Sequence, residues 1–155
     1  MKIKSMTICL LLMFFFGLST WLPLSAASSK SIKWFTYDEG MRLGKSENKK
    51  VFLHFYANWC KYCKIMANET FKDTSVISYL NENFISIKVD STKEKKLSSD
   101  YGVRGLPGNW FIAENGEEIT KVPGYIRPER LVGILKYINT NSYKKMTFKE
   151  FIEGM

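Results

Sequence analysis

An α/β fold around a central mixed sheet is what three observations in this chain predict. Strand-like and helix-like patterns alternate along most of the sequence, which places parallel strands in one sheet with helices on its faces. The run from Val51 to Tyr56 is apolar at every position but His54, as in a strand buried on both faces. Near the end of the alternation, Asn109 to Ile112 and Glu118 to Val122 flank Glu114-Asn115-Gly116-Glu117, a turn sequence that makes them an antiparallel hairpin. Parallel strands plus a hairpin make the sheet mixed. The chain has 155 residues, 45% apolar and 15% aromatic, enough for one packed domain.

The elements follow in order. Residues 1–27 open with Lys2 and Lys4, continue through the apolar run Ile8 to Phe16 and end at Ser25-Ala26-Ala27. A short basic start, an apolar core and a small-x-small ending define a secretory signal peptide, cleaved after Ala27 and taking Cys9 with it. The rival is an uncleaved membrane anchor from Met6 to Leu24, interrupted by Gly17, Ser19, Thr20 and Pro23. Cleavage is the preferred reading, so the mature domain is expected to be exported, periplasmic and without stable membrane insertion; retention of the segment would anchor it. Residues 28–140 form the expected domain. Ile32 to Phe35 can be a first strand, and Tyr37 to Lys45 a helix carrying Met41 and Leu43, with Gly44 and the polar run Ser46 to Lys50 releasing it. The central strand Val51 to Tyr56 runs into a helical pattern at Cys60. Asp73 is a plausible N-cap for the helix bearing Val76, Ile77 and Leu80. Phe84 to Val89 is the next strand, Glu94 to Tyr101 a helix stopped by Gly102, and Pro128 starts a last core helix with Leu131, Leu135 and Ile138. Residues 141–155 are an extension in which Thr147-Phe148-Lys149-Glu150 has the pattern of a capping box. Phe148, Phe151 and Ile152 are expected to dock that short helix on the domain rather than offer it to a partner.

Charge narrows the function classes. The formal net charge is +8, or +6 without Lys2 and Lys4. The bases are dispersed, as in Lys93-Glu94-Lys95-Lys96 and Lys144-Lys145, and no arginine-rich stripe alternates with aromatics. A nucleic-acid partner is therefore not expected.

Chemistry concentrates in Trp59-Cys60-Lys61-Tyr62-Cys63-Lys64. Residues i and i+3 share one helix face, so Cys60 and Cys63 can join and separate as a disulfide with little backbone movement. As a staple the bond closes only four residues, worth roughly 2 kcal/mol in loop entropy against about 3 for a fifteen-residue loop, so mechanical support is a weak reason for it. The first turn of a helix presents unpaired N–H groups and partial positive charge, which favours the thiolate of Cys60. Cys60 is then the attacking thiol, tuned by Lys61, Tyr62 and Lys64, and Cys63 lies deeper as the resolving thiol. Half of a zinc site is the alternative, but closing it needs two more Cys or His ligands, and only His54 and Cys9 remain. A second alternative is Cu(I) held by Cys60, Cys63 and Met66, against which stands the lack of a Met- or His-rich tract.

The strand, the segment Tyr56-Ala57-Asn58-Trp59-Cys60-x-x-Cys63-Lys64 and the later Gly105-Leu106-Pro107 resemble the thioredoxin superfamily, from about Trp34 to Ile138. With Glu69-Thr70-Phe71 and Val76, the motif is most similar to the C-terminal domain of the thiol:disulfide interchange protein DsbD and its single-domain exported relatives. The resemblance implies a thioredoxin fold, a redox-active Cys60/Cys63 pair, no dissociable cofactor, no metal and a monomer. Its implied partners are protein disulfides and a redox partner protein, membrane-bound by analogy. It also implies that Pro107 is cis beside the thiols, that Leu106 offers its backbone to an extended substrate strand, and that Trp59, which alone would read as core, is a partly exposed platform. Gly108-Asn109 departs from the usual strand former there and blurs the start of that strand. Lys61-Tyr62 departs from the Gly-Pro and Pro-His pairs of other members. His54 stands where relatives carry a buried acid that assists proton transfer at the second cysteine; on its own it reads as a satisfied core histidine, while its ordinary pKa near 6.5 would suit a base for Cys63 if it stays neutral on burial. The function implied is reduction of exported disulfides, the alternatives being an oxidant or isomerase and a Cu(I)-binding thiol chaperone.

Overall fold

The computed structural model describes residues 30–154. The expected signal peptide at 1–27, with Cys9, lies outside the described residues. Five strands form one sheet: β1 (Trp34–Phe35), β2 (Lys50–Tyr56), β3 (Phe84–Asp90), β4 (Gly108–Ile112) and β5 (Glu118–Pro123), in spatial order β1-β3-β2-β4-β5. β1 and β2 run parallel to β3, β4 is antiparallel to β2, and β5 is antiparallel to β4. The sheet is mixed, with β2 at its centre, as expected. The helices are α1 (Tyr37–Ser46), α2 (Lys61–Asn68), α3 (Thr74–Asn83), α4 (Lys95–Asp100), α5 (Pro128–Asn139) and α6 (Phe148–Glu153).

The pleat of β2 divides the interior in two. Val51, Leu53 and Phe55 point to a cluster with Ile85, Ile87, Val89, Trp110 and Ile112, covered by Met41 and Leu43 of α1 and Leu97 of α4. Phe52 points the other way, to Met66 of α2, Val76, Ile77 and Leu80 of α3, and Leu131, Leu135 and Ile138 of α5. Burial of these side chains, worth about 1.5–3 kcal/mol each, is what holds helices on both faces. Local signals set the element ends. Asp73 caps α3 by accepting from the Ser75 and Val76 N–H groups at 2.9 and 3.0 Å, and Pro128 occupies the first turn of α5.

Strand β4 begins at Gly108, and packing explains the residue: a Cβ there would lie 2.5 Å from Cζ3 of the buried Trp110 ring. In the extension, Thr147 and Glu150 form the reciprocal capping box. Phe148 and Phe151 pack on Tyr137 of α5 with ring centroids 5.5 and 5.4 Å apart, and Ile152 lies over Gly133. Among the described residues no helix is long and apolar enough to cross a membrane.

Candidate active site

Strand β2 ends at Tyr56, and after a turn the chain enters α2 with Cys60 as its N-cap. Cys60 and Cys63 are joined as a disulfide, their Cα atoms 5.3 Å apart, inside the ordinary window for such a bond. The Cys63 N–H donates to Cys60 Sγ at 3.1 Å. Sulfur thus takes the place of the side-chain oxygen that usually caps a helix, receiving one of the N–H groups the first turn leaves unpaired. The expected contrast in depth is absent. Cys60 and Cys63 are 5% and 4% exposed, both packed with Ala57, Tyr56 and Leu106. Only position in the helix distinguishes them here.

Around the bond the surface is open. Trp59 is 73% exposed and Tyr62 57%, the two large apolar side chains most exposed among the described residues, and Lys61 and Lys64 are exposed beside them. Leu106 packs against the disulfide from the loop before β4, and the Leu106–Pro107 peptide bond is cis. The Pro107 carbonyl accepts from Gly124 N–H at 2.7 Å, tying that loop to the end of β5.

His54 is not bonded to a thiol. It is 1% exposed on the α2 side of β2, stacked on Tyr56 (centroids 6.3 Å) and edge-on to Phe71 (4.8 Å), so one ring separates it from the disulfide cluster. Its partner is Asn109, on the strand antiparallel to its own and opposite it in register. The Asn109 amide donates to the carbonyls of Val122 and Gly124 at 2.9 and 3.0 Å, which turns Oδ1 toward His54 Nδ1, 2.9 Å away. That network assigns the proton to Nδ1 and leaves Nε2 as an acceptor. Burial pushes the His54 pKa down from 6.5 to about 4, against the raising effect of the Asn109 bond and helped by the charge of Lys88. The ring is therefore neutral at neutral pH and a much weaker base than an ordinary imidazole. Lys88, opposite His54 on β3, has its own pKa lowered by burial and holds its ammonium 4.4 Å from the centre of the Tyr56 ring. Lys88, His54 and Asn109 form one row across three strands, just before the cysteines. Sequence reasoning missed the roles of Lys88 and Asn109 in it; the one signal was a polar side chain inside each of two largely apolar strands, and β3 carries Ser86 as well.

No group of three or more His, Cys, Asp or Glu residues among the described ones could hold a metal ion. A dithiol pair at a helix N-terminus, beside exposed aromatic rings and a proline loop, can accept and donate two electrons by disulfide exchange. The class that fold and site define is a thioredoxin-like oxidoreductase domain with its Cys-x-x-Cys pair at disulfide distance.

Comparison with known proteins places the chain further. The family model described as a thioredoxin-like domain matches residues 37–139, and the chain belongs to that family. It is 36% identical over 97 residues to the probable protein disulfide-isomerase A4 of Caenorhabditis elegans, covering 63% of this chain and 15% of that one. With the thiol:disulfide interchange protein DsbD of Actinobacillus pleuropneumoniae it shares 33% over 103 residues, 63% of this chain and 18% of the relative. The chain thus spans less than a fifth of the length of both. The solution structure of a thioredoxin from Thermus thermophilus superposes with a TM-score of 0.64 at 24% identity, covering 70% of this chain and 87% of that one, and the thioredoxin fold is shared.

Proposed function

We propose that the protein is an exported thiol:disulfide oxidoreductase that reduces disulfides of periplasmic proteins and is recharged by a membrane-bound redox partner. The observation that carries the reading is the Cys60 sulfur at the N-cap of α2, receiving the Cys63 N–H. In the reduced state the Cys60 thiolate attacks one sulfur of a partner disulfide. A Cys60–partner bond forms, the partner's S–S bond breaks, and its other sulfur leaves as a thiolate that takes up a proton. Cys63, once it gives up its proton, attacks the Cys60 sulfur, forms the Cys60–Cys63 bond and expels the second partner sulfur. Two electrons have then passed from the domain to the partner, and the redox protein must return two to reopen the disulfide. Neutral His54, behind the Tyr56 ring and without direct contact to Cys63, would assist the proton of Cys63 only through an intervening group, and it is too weak a base to keep that proton. Trp59 and Tyr62 supply an apolar platform for the partner, and Leu106 a backbone edge for its extended strand. Export is supported by the composition of residues 1–27, and the single compact domain works as a monomer in this reading.

A glutathione-buffer titration of the Cys60/Cys63 couple tests the direction. The expected midpoint is more reducing than about −200 mV, and one above about −160 mV would reverse the assignment, since roughly 30 mV is tenfold in this equilibrium. In the reduced protein Cys60 is expected to alkylate far faster than Cys63; equal rates would remove the helix-terminus argument. The second reading is an isomerase or oxidant, favoured by the likeness to a probable disulfide-isomerase, and the same titration separates it.

A further inference from the structure

Charge is unevenly distributed around the disulfide. No carboxylate occurs from Ala57 to Asn68, from Tyr101 to Ala113 or from Ile119 to Pro128, three segments around the pair and its proline loop, although the end of β3 brings Asp90 opposite Tyr56 in register. The same segments carry Lys61, Lys64, Arg104, Lys121 and Arg127, all exposed. Among the described residues none of these five is in an ion pair. The first carboxylate along α2 is Glu69, nine residues past Cys60 and therefore about 13 Å along the helix direction, where it accepts from the Tyr125 hydroxyl. On β5, Glu118 stands three residues before Lys121, roughly 10 Å away along the strand. Both separations reach or exceed the screening length of about 8 Å at physiological salt, although Glu118 is near enough to act on Tyr101, whose ring centroid lies 6.0 Å from that of Trp110.

Geometry gives this charge a receptacle. A cleft of about 430 Å³ lies between the proline loop and β5, walled by Arg104 and Lys121 and floored by Trp110. Gly105 and Gly108, which bracket Leu106-Pro107, form its rim toward the disulfide. A Cβ on Gly105 would meet nothing within 4 Å, so the mouth is open. Two cations without an ion-pair partner, Lys121 with its Nζ 5.7 Å from the centre of the Trp110 ring, suit a carboxylate, which a guanidinium binds through parallel N–H groups.

We infer that the disulfides this domain exchanges with lie in acidic stretches of polypeptide, and that the cleft between the Leu106-Pro107 loop and β5 receives an Asp or Glu side chain flanking the reacting cysteine. This rests on the exchange reaction proposed above and names its substrate class. Gly105 of the cleft adjoins Leu106, which packs against the disulfide, so the flanking acid would stand a few residues, at about 3.3 Å each, from the reacting cysteine. Attraction of this kind acts mainly on the rate of encounter and is removed by salt.

The test uses the reduced full-length chain and three synthetic peptides, each closed by one disulfide and identical except for Glu, Ser or Lys beside the cysteines. At low salt the Glu peptide is expected to react about tenfold faster than the Lys peptide, with the Ser peptide between them. That gap should close near 1 M ionic strength, where screening extends only about 3 Å. The double variant Arg104→Glu/Lys121→Glu should invert the order, while Lys45→Glu/Lys49→Glu, with the same change of net charge at the opposite end of β2, should preserve it. Equal rates for all three peptides at low salt would overturn the inference and leave the exchange reaction standing. Inversion by the distant pair as well would overturn the assignment to the cleft. Failure of every peptide to react would reject the exchange reading itself.

Discussion

The two faces of β2 are built to different rules. On one, Val51, Leu53 and Phe55 pack among apolar and aromatic side chains, Phe55 edge-on to Trp110 with centroids 5.1 Å apart, and the one polar atom left without a hydrogen-bond partner in that cluster is Trp110 Nε1. On the other, Phe52 is followed by His54, whose burial costs enough to drive its pKa down to about 4 and is offset by the bond from Asn109. A phenylalanine would fill the His54 site at no such cost. The apolar face therefore stabilises the sheet, whereas the polar row gives up stability just before the cysteines, where the proposed exchange would have to move a proton. The contrast teaches where to expect a substitution to change folding and where to expect it to change chemistry.

Phe55→Ala should produce the largest effect, a loss of about 3–5 kcal/mol in urea unfolding, with the exchange rate of the folded protein retained. A loss under 1 kcal/mol would mean that face is not the stabilising one. Next comes acid. Because the folded pKa of His54 lies below its ordinary value, the unfolded chain binds the extra proton between pH 6.5 and about 4. Stability is therefore full above pH 6.5 and falls as pH drops through that window, by up to about 3 kcal/mol from this group. His54→Phe should flatten that part of the curve and slow resolution of the mixed disulfide; curves that stay parallel would show that His54 does not set the acid limb. The smallest effect on folding is expected at Trp59, exposed to 73%. Trp59→Ala should shift stability by no more than about 0.5 kcal/mol yet slow reaction with peptide disulfides severalfold, and an unchanged rate would remove the platform role.

Much of this architecture could be read from short stretches of sequence, because its causes are local. The apolar run of β2, the Asp73 cap, the hairpin turn at Glu114 to Glu117, Pro128 and the Thr147–Glu150 capping box each depend on neighbours within a few positions. The cysteine pair was legible for the same reason. His54 was visible as an anomaly, but its partner was not: Asn109 lies 55 positions away and meets it only through the register of two antiparallel strands. Gly108 looked like a flaw at the start of a strand until Trp110 was seen to occupy the space of its side chain. The equal burial of the two cysteines reflects the packing of Ala57, Tyr56 and Leu106 around both, which spacing alone does not report. The cleft is assembled from loop and strand segments separated in sequence, so its two cations could be counted beforehand but not placed together.

Asn109 belongs by its backbone to β4, reaches β2 through Oδ1, and holds the end of β5 through both N–H bonds of its amide. One side chain thus joins three consecutive strands, as a rivet passes through overlapping plates. Hinging of the hairpin against the central strand would have to release the histidine first. The edge of the sheet that borders the cleft is thereby tied to the central strand by a side chain as well as by its backbone ladder.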